Sequence, residues 1–237
     1  MKKTLGILGG MGPEATAYFY ELIIRKTKVE KDQDHMRVII WSNPEVPPRT
    51  DATLGLGPSP VPLLVEGAKG LVAAGAELIA MPCVSAHYFI YDVQAQVDFQ
   101  FISLLDESLK WAQDKVPGLK KAGLISSTGT KVSRMFHNTF GRAGIDVLAP
   151  DEDEQEDVVM EAIFGKGGIK AGVMSGRPKE MIVGMARALV ARGAEAIIAG
   201  CTEVPLVLKE EDIPVPLIEP MSITAEACIR EAGYEVR

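Results

Sequence analysis

Two of the three cysteines in this chain close the two copies of one repeated segment. Leu71-Val72-Ala73-Ala74-Gly75-Ala76-Glu77-Leu78-Ile79-Ala80-Met81-Pro82-Cys83 returns as Leu189-Val190-Ala191-Arg192-Gly193-Ala194-Glu195-Ala196-Ile197-Ile198-Ala199-Gly200-Cys201, with eight of the thirteen positions identical. Each thiol follows a short apolar run and precedes what reads as the start of a helix. Free N–H groups and the dipole at a helix N-terminus stabilise a thiolate, the form of cysteine that acts as base or nucleophile. Two like halves facing each other would set Cys83 and Cys201 on either side of a bound molecule, an arrangement suited to chemistry with mirror-related demands. A lone cysteine after a strand is as readily a small buried hydrophobe; duplication of the context argues against that for this pair. Cys228, within Ala225-Glu226-Ala227-Cys228-Ile229, lacks such a context and reads as helix core.

Other polar groups are weaker candidates. Arg49 lies in a proline-rich stretch from about Asn43 to Pro62, which reads as an extended binding loop or lid. Its planar guanidinium suits bidentate pairing with a carboxylate, although an exposed arginine on a solvated turn is the plainer alternative. His87 stands four residues beyond Cys83 and could tune that thiol, or serve only as a hydrogen-bonding core residue. His35 and His137 form no zinc or Ser-His-Asp spacing with it. The acidic run Asp151–Asp157 reads as a capped helix start, with Asp151 as the cap, more readily than as a metal site. Gly10-x-Gly12-x-x-Ala15 after a strand weakly fits a dinucleotide fingerprint, but Pro13 interrupts the turn and no acidic residue closes the next strand. No nucleotide cofactor is therefore expected.

Strands must bring these groups together. Apolar runs at Leu5-Leu8, Val38-Trp41, Leu78-Met81, Gly123-Ser126, Asp146-Leu148, Ala196-Ala199 and Pro216-Ile218 alternate with helical periodicity. Helices are expected at about 13–28, 62–74, 130–143, 152–164, 179–192 and 222–232, and one after each of Cys83 and Cys201. Such alternation implies parallel sheets covered on both faces. Gly6-Ile7-Leu8-Gly9-Gly10-Met11-Gly12 also lines up with Gly123-Leu124-Ile125-Ser126-Ser127-Thr128-Gly129 at an offset of 117, against 118 for the cysteine repeat. The fold class is thus α/β, with two similar parallel-sheet domains related by internal duplication and the active site between them. The expected division is 1–117, carrying Cys83, and 118–237, carrying Cys201, with the last helix free to pack on the first domain.

Composition narrows the partners. Of 237 residues, 47% are hydrophobic and 24% charged, values of a globular chain. A net charge of -7 and the lack of any basic run argue against nucleic acid. No apolar run is long enough to span a bilayer, and the N-terminus reads as a first strand rather than a signal peptide. Three cysteines without C-x-x-C spacing fit a reduced, cytoplasmic protein.

Met81-Pro82-Cys83-Val84-Ser85-Ala86-His87 and Gly200-Cys201-Thr202-Glu203-Val204-Pro205-Leu206 resemble the paired cysteine signatures of the aspartate/glutamate racemases. Gly9-Gly10-Met11-Gly12-Pro13-Glu14-Ala15-Thr16 and Asn43-Pro44-Glu45-Val46-Pro47-Pro48-Arg49-Thr50 resemble motifs of the aspartate branch, and the likeness spans nearly the whole chain. Glu203 stands where glutamate racemases usually carry histidine. The resemblance implies a cofactor-independent racemase of aspartate or glutamate, without pyridoxal phosphate or metal, in a homodimer. It implies Cys83 and Cys201 as the proton-transfer pair, with Met11, Arg49, Val84, Ser85, Lys170, Thr202 and Glu203 around the substrate. One departure stands out: Val84-Ser85 replaces the usual Asn-Thr. Losing one polar contact to a charged ligand costs about 1.5–3 kcal/mol, so the substrate could differ. A broad-specificity amino-acid racemase, a maleate-isomerase-like enzyme with one attacking cysteine, a one-cysteine decarboxylase and a non-catalytic amino-acid-binding protein are the alternatives.

Overall fold

In the computed structural model, which describes residues 2–237, the chain forms two parallel sheets of identical strand order. Leu5–Gly9 (β1), Val38–Ser42 (β2), Leu78–Ala80 (β3) and Gln100–Ile102 (β4) run in the order β2-β1-β3-β4. Lys121–Ile125 (β5), Asp146–Leu148 (β6), Ala196–Ala199 (β7) and Leu217–Ile218 (β8) run in the order β6-β5-β7-β8. Each strand of the second sheet repeats the place of the strand four earlier, so the duplication seen in sequence extends to topology. The central strands β1, β3 and β7 are buried at every residue, as parallel strands covered on both faces must be.

The helices are Pro13–Lys26 (α1), Arg49–Thr53 (α2), Val61–Ala73 (α3), Ile90–Gln94 (α4), Leu104–Lys115 (α5), Thr128–Val132 (α6), Met135–Gly141 (α7), Glu152–Glu154 (α8), Glu161–Phe164 (α9), Arg177–Ala191 (α10), Val204–Val207 (α11) and Pro220–Glu231 (α12), with a π-helical segment at Gln155–Met160 between α8 and α9. Proline in the first turn starts α1, α3 and α10, where its missing N–H costs nothing. The described chain divides into two compact units, one running to Glu107 and taking up Met221–Arg237, the other comprising Ser108–Pro220. In the first, Leu64, Ala68 and Leu71 of α3 pack with Leu8 and Ile79; in the second, Ile182, Ala186 and Leu189 of α10 pack with Ile125 and Ile197.

Most of the repeated segment proves to be scaffold. α3 and α10 are each followed by a glycine at positive φ, Gly75 at 96° and Gly193 at 97°. Gly75 N–H donates to Val72 O at 2.9 Å and Ala76 N–H to Leu71 O at 3.0 Å; Gly193 and Ala194 repeat this on Val190 and Leu189 at 2.9 and 3.0 Å. That is a Schellman ending, in which a left-handed residue is tolerated best as glycine. The glutamates then tie the turn to the next strand's neighbour. Glu77 accepts the Thr4 N–H at 2.9 Å, and Glu195 accepts those of Lys120 and Lys121 at 2.6 and 3.1 Å. Packing and capping thus account for the shared Leu, Gly, Ala and Glu. The two cysteines close the segment at the edge of this scaffold, Cys83 within the core of its unit and Cys201 packed against that of the other.

Several elements differ from expectation. The expected helix at 130–143 is two, α6 and α7, because Arg134 adopts φ 54. The proline-rich stretch is not wholly extended, since α2 begins at Arg49. β4 and α5 were not legible: β4 has three residues with burial running from exposed to buried, and α5 follows one residue later. Asp151 does cap α8, its side chain accepting the Glu154 N–H while Glu154 accepts the Asp151 N–H.

Candidate active site

Strand order reverses between β1 and β3 in the first sheet and between β5 and β7 in the second, and ligands of open parallel sheets bind beyond the carboxyl ends at such points. Met11 follows β1 and Cys83 follows β3. The turn after β1 needs glycine at Gly10, with φ 93 and the Asn43 backbone N only 2.3 Å from where a Cβ would stand. Thr16 Oγ1 accepts the Gly10 N–H at 2.9 Å and donates to Gly12 O at 3.0 Å, holding Met11, which is buried, in place.

Arg49 heads α2 and is anchored through its two terminal nitrogens. Nη1 donates to Val46 O at 2.9 Å and Pro47 O at 2.8 Å, while Nη2 lies 3.5 Å from Met11 O. Nε is buried without a hydrogen-bond partner. A guanidinium can engage a carboxylate with two hydrogen bonds. Cys83 and Val84 are buried, and Ser85 Oγ lies 3.5 Å from Cys83 Sγ. The first unit therefore brings together Met11, Arg49, Cys83, Val84 and Ser85.

The second unit assembles the others around one carboxylate. Cys201 Sγ donates to Glu203 Oε2 at 2.9 Å, Thr202 Oγ1 donates to the same oxygen at 3.0 Å, and Lys170 Nζ pairs with Oε1. Lys170 stands on a short 3₁₀ turn, Ile169–Ala171, over the Phe164 ring. Burial tends to raise the Glu203 pKa, but the Lys170 charge and the hydrogen bonds from Cys201, Lys170 and Thr202 outweigh it, leaving the carboxyl below its ordinary value. Cys201 moves the other way. Burial first, then the Glu203 charge and hydrogen bond, push its thiol well above the usual range, with Lys170 opposing.

The expected helix-stabilised thiolate is thus corrected at Cys201. The following helix, α11, has four residues and starts at Val204, and the nearer carboxylate keeps the proton on sulfur. Beyond Cys83 the chain enters a 3₁₀ turn, Ser85–Phe89, before α4. Cys228 is fully buried in α12, where burial and then Glu107 push its thiol up.

The family profile of Asp/Glu/Hydantoin racemase matches residues 8–228. This chain belongs to that family. It is 23% identical over 233 residues to the broad specificity amino-acid racemase RacX of Bacillus subtilis, covering 95% of this chain and 96% of that protein. Its fold is similar to that of Picrophilus torridus aspartate racemase, with a TM-score of 0.85 and 27% identity over 99% of this chain and 96% of the other. An aspartate racemase homologue from Pyrococcus horikoshii gives 0.76 and 28%, over 98% and 99%. The protein is accordingly an isomerase of the racemase class, acting on a small-molecule amino-acid substrate. Among the described residues, no helix is long and apolar enough to cross a membrane.

Sequence reasoning passed over Thr16 as the support of the Met11 turn. It also passed over Gln155, which is buried in the π-helical segment and donates through Nε2 to Ser126 O at 2.9 Å. Gln155 lies within the acidic run, where nothing sets it apart, and Thr16 closes the Gly9–Thr16 motif, where it could have been found as the hydroxyl six residues past Gly10.

Proposed function

We propose that the protein racemises aspartate, or glutamate, by transferring protons at Cα between Cys83 and Cys201 without a cofactor. The observation that carries this is one thiol at the end of the same strand of each duplicated sheet, each beside the point where strand order reverses. The substrate would lie with Cα between the two sulfurs. Cys83, as thiolate, takes the Cα proton; Cys201, stored as a thiol by Glu203, gives its own to the opposite face. The Cα–H bond breaks, a new one forms, and the pair is left as Cys83 thiol and Cys201 thiolate. From the other enantiomer the roles exchange: Cys201, as thiolate, takes the Cα proton and Cys83, as thiol, gives its own. Arg49 would hold a carboxylate, with Lys170, Thr202 and Ser85 supplying further donors as negative charge develops toward Cα. Met11 and Val84 would close the apolar side and exclude water.

A second reading, a broad-specificity amino-acid racemase, is favoured by Val84. Its buried apolar side chain gives no polar contact where the family usually offers asparagine, and it would relax the demand on the substrate's groups. The two readings separate in one screen. In D2O, either enantiomer of aspartate should yield antipode carrying deuterium at Cα, and a panel of dicarboxylic and neutral amino acids ranks the substrates. Absence of exchange across the panel would remove the racemase proposal; a stable adduct on one cysteine would point to the isomerase alternative. Serine at Cys83 or Cys201 should lower the rate at least about 10²–10⁴-fold, whereas Cys228→Ser should leave it intact. Unchanged turnover in chelator and in hydroxylamine tests the absence of metal and pyridoxal phosphate. Sedimentation tests the homodimer that the resemblance implies.

A further inference from the structure

His87 makes two hydrogen bonds whose directions can both be deduced. The ring is buried and lies tilted against Phe101, with centroids 5.2 Å apart. Nε2 is 3.1 Å from the backbone nitrogen of Leu104, and Nδ1 is 2.9 Å from Cys83 O. A backbone N–H can only donate, so Nε2 is the acceptor and carries no proton. The single ring proton is therefore on Nδ1, donating to the Cys83 carbonyl. A second proton on Nε2 would be aimed at the N–H of Leu104. Burial pushes the His87 pKa down to about 4, against weaker opposing effects of the Cys83 carbonyl and Asp106. The ring is neutral and brings no charge to the thiol. It does not act as an acid or base.

What it does is fix a backbone. Cys83 N–H donates to Met81 O at 2.7 Å, and His87 N–H donates to Val84 O at 2.9 Å. With the ring bond added, both peptide groups of Cys83 are tied down, and the side-chain torsion is its main remaining freedom. Leu104, at the other end of the clamp, is fully buried at the head of α5. In the second unit the Cys201 carbonyl needs no such side chain, because it accepts the N–H of Val204 at 3.1 Å.

We propose that His87 is a positioning residue for Cys83: its neutral ring links the Cys83 carbonyl to the head of α5 and thereby sets where the thiol stands at the sheet edge. The inference rests on the racemase reading for its effect on turnover, though not for its geometry. Three variants separate it from a purely structural helix cap. His87→Asn can place an amide N–H near the Nδ1 position and restore the bond to Cys83 O. His87→Gln can place a carbonyl near the Nε2 position and restore only the acceptor for Leu104. His87→Phe keeps the ring and loses both.

The proposal expects His87→Asn to stay within about threefold of the parent kcat, while Gln and Phe fall toward about 10²-fold lower with KM changed less than about twofold. The rate of iodoacetamide alkylation at Cys83, read by mass spectrometry on folded protein, should change in the Gln and Phe variants but not in Asn, with Cys201 as internal reference. Parent-like kcat and Cys83 alkylation in His87→Gln would overturn it, as would losses that follow only the folded fraction. If His87→Phe does not fold, the Asn and Gln pair decides. Alkylation needs no turnover, so a parent enzyme that exchanged no Cα proton would defeat the racemase reading while leaving the clamp to be judged on the Cys83-to-Cys201 ratio.

Discussion

Glu203 is charged in the environment that keeps its neighbour neutral. Lys170 and two hydroxyl or thiol donors hold the carboxylate, and the carboxylate in turn holds the Cys201 proton. Glu203→Gln removes the negative charge and should lower the Cys201 pKa, although burial still acts on it. Alkylation of Cys201 at neutral pH should accelerate, while that of Cys83 stays constant; an unchanged Cys201 rate would contradict the arrangement. The same residue gives a stability test. Its folded pKa lies below the ordinary value of 4.5, so its contribution is complete above about pH 4.5 and is lost as pH falls through the folded value. The difference in Tm between parent and Glu203→Gln should therefore shrink in acid and hold steady near neutrality. Both cysteines, Glu203 and Arg49 stood out in the sequence through motif and repeat. Their protonation did not, because the Cys201–Glu203 bond depends on side-chain torsions that no spacing encodes.

At the scale of elements, the sequence was most informative where one local rule governs. Strand Ala196–Ala199 and strand Asp146–Leu148 agree with expectation to the residue, since each starts just past a glycine turn, at Gly193 and Gly144. It was least informative at Gln100–Ile102, which is paired on one side only and owes its place to β3. The split of α6 from α7 was equally hidden, because arginine carries no signal for positive φ. A non-glycine residue there costs roughly 1–2 kcal/mol, partly offset in a glycine variant by the freer unfolded chain. Arg134→Gly should accordingly raise stability by up to about 1 kcal/mol in urea unfolding. A loss would mean that the arginine side chain makes a compensating contact.

At the scale of the molecule, the two halves of the repeat are not the two compact units. α5 closes the first half of the repeat, yet from Ser108 onward it is counted with the second unit; α12 closes the second half, yet from Met221 it is counted with the first. The anchoring of α12 is visible within the first unit, where Lys26 pairs with Glu226 at 2.8 Å and Thr27 bridges to Val236. Removing residues 221–237 should therefore loosen α1 and its sheet, read as faster proteolysis before Glu107, more than it loosens Ser108–Pro220. Uniform loosening would argue against this division. Fragments 1–117 and 118–237, made as separate chains, should each be poorly folded alone and gain helicity when mixed.

That exchange of end helices also orders events during synthesis. The segment bearing Cys83 emerges long before Met221–Arg237, and its unit stays unfinished while all of Ser108–Pro220 is translated. The later unit is contiguous and can close first. A chain stalled near Pro220 would then present a finished back half and an open front half, so the Cys83 side of the site is the last to take shape and the one most exposed to oxidation or misassociation on the ribosome.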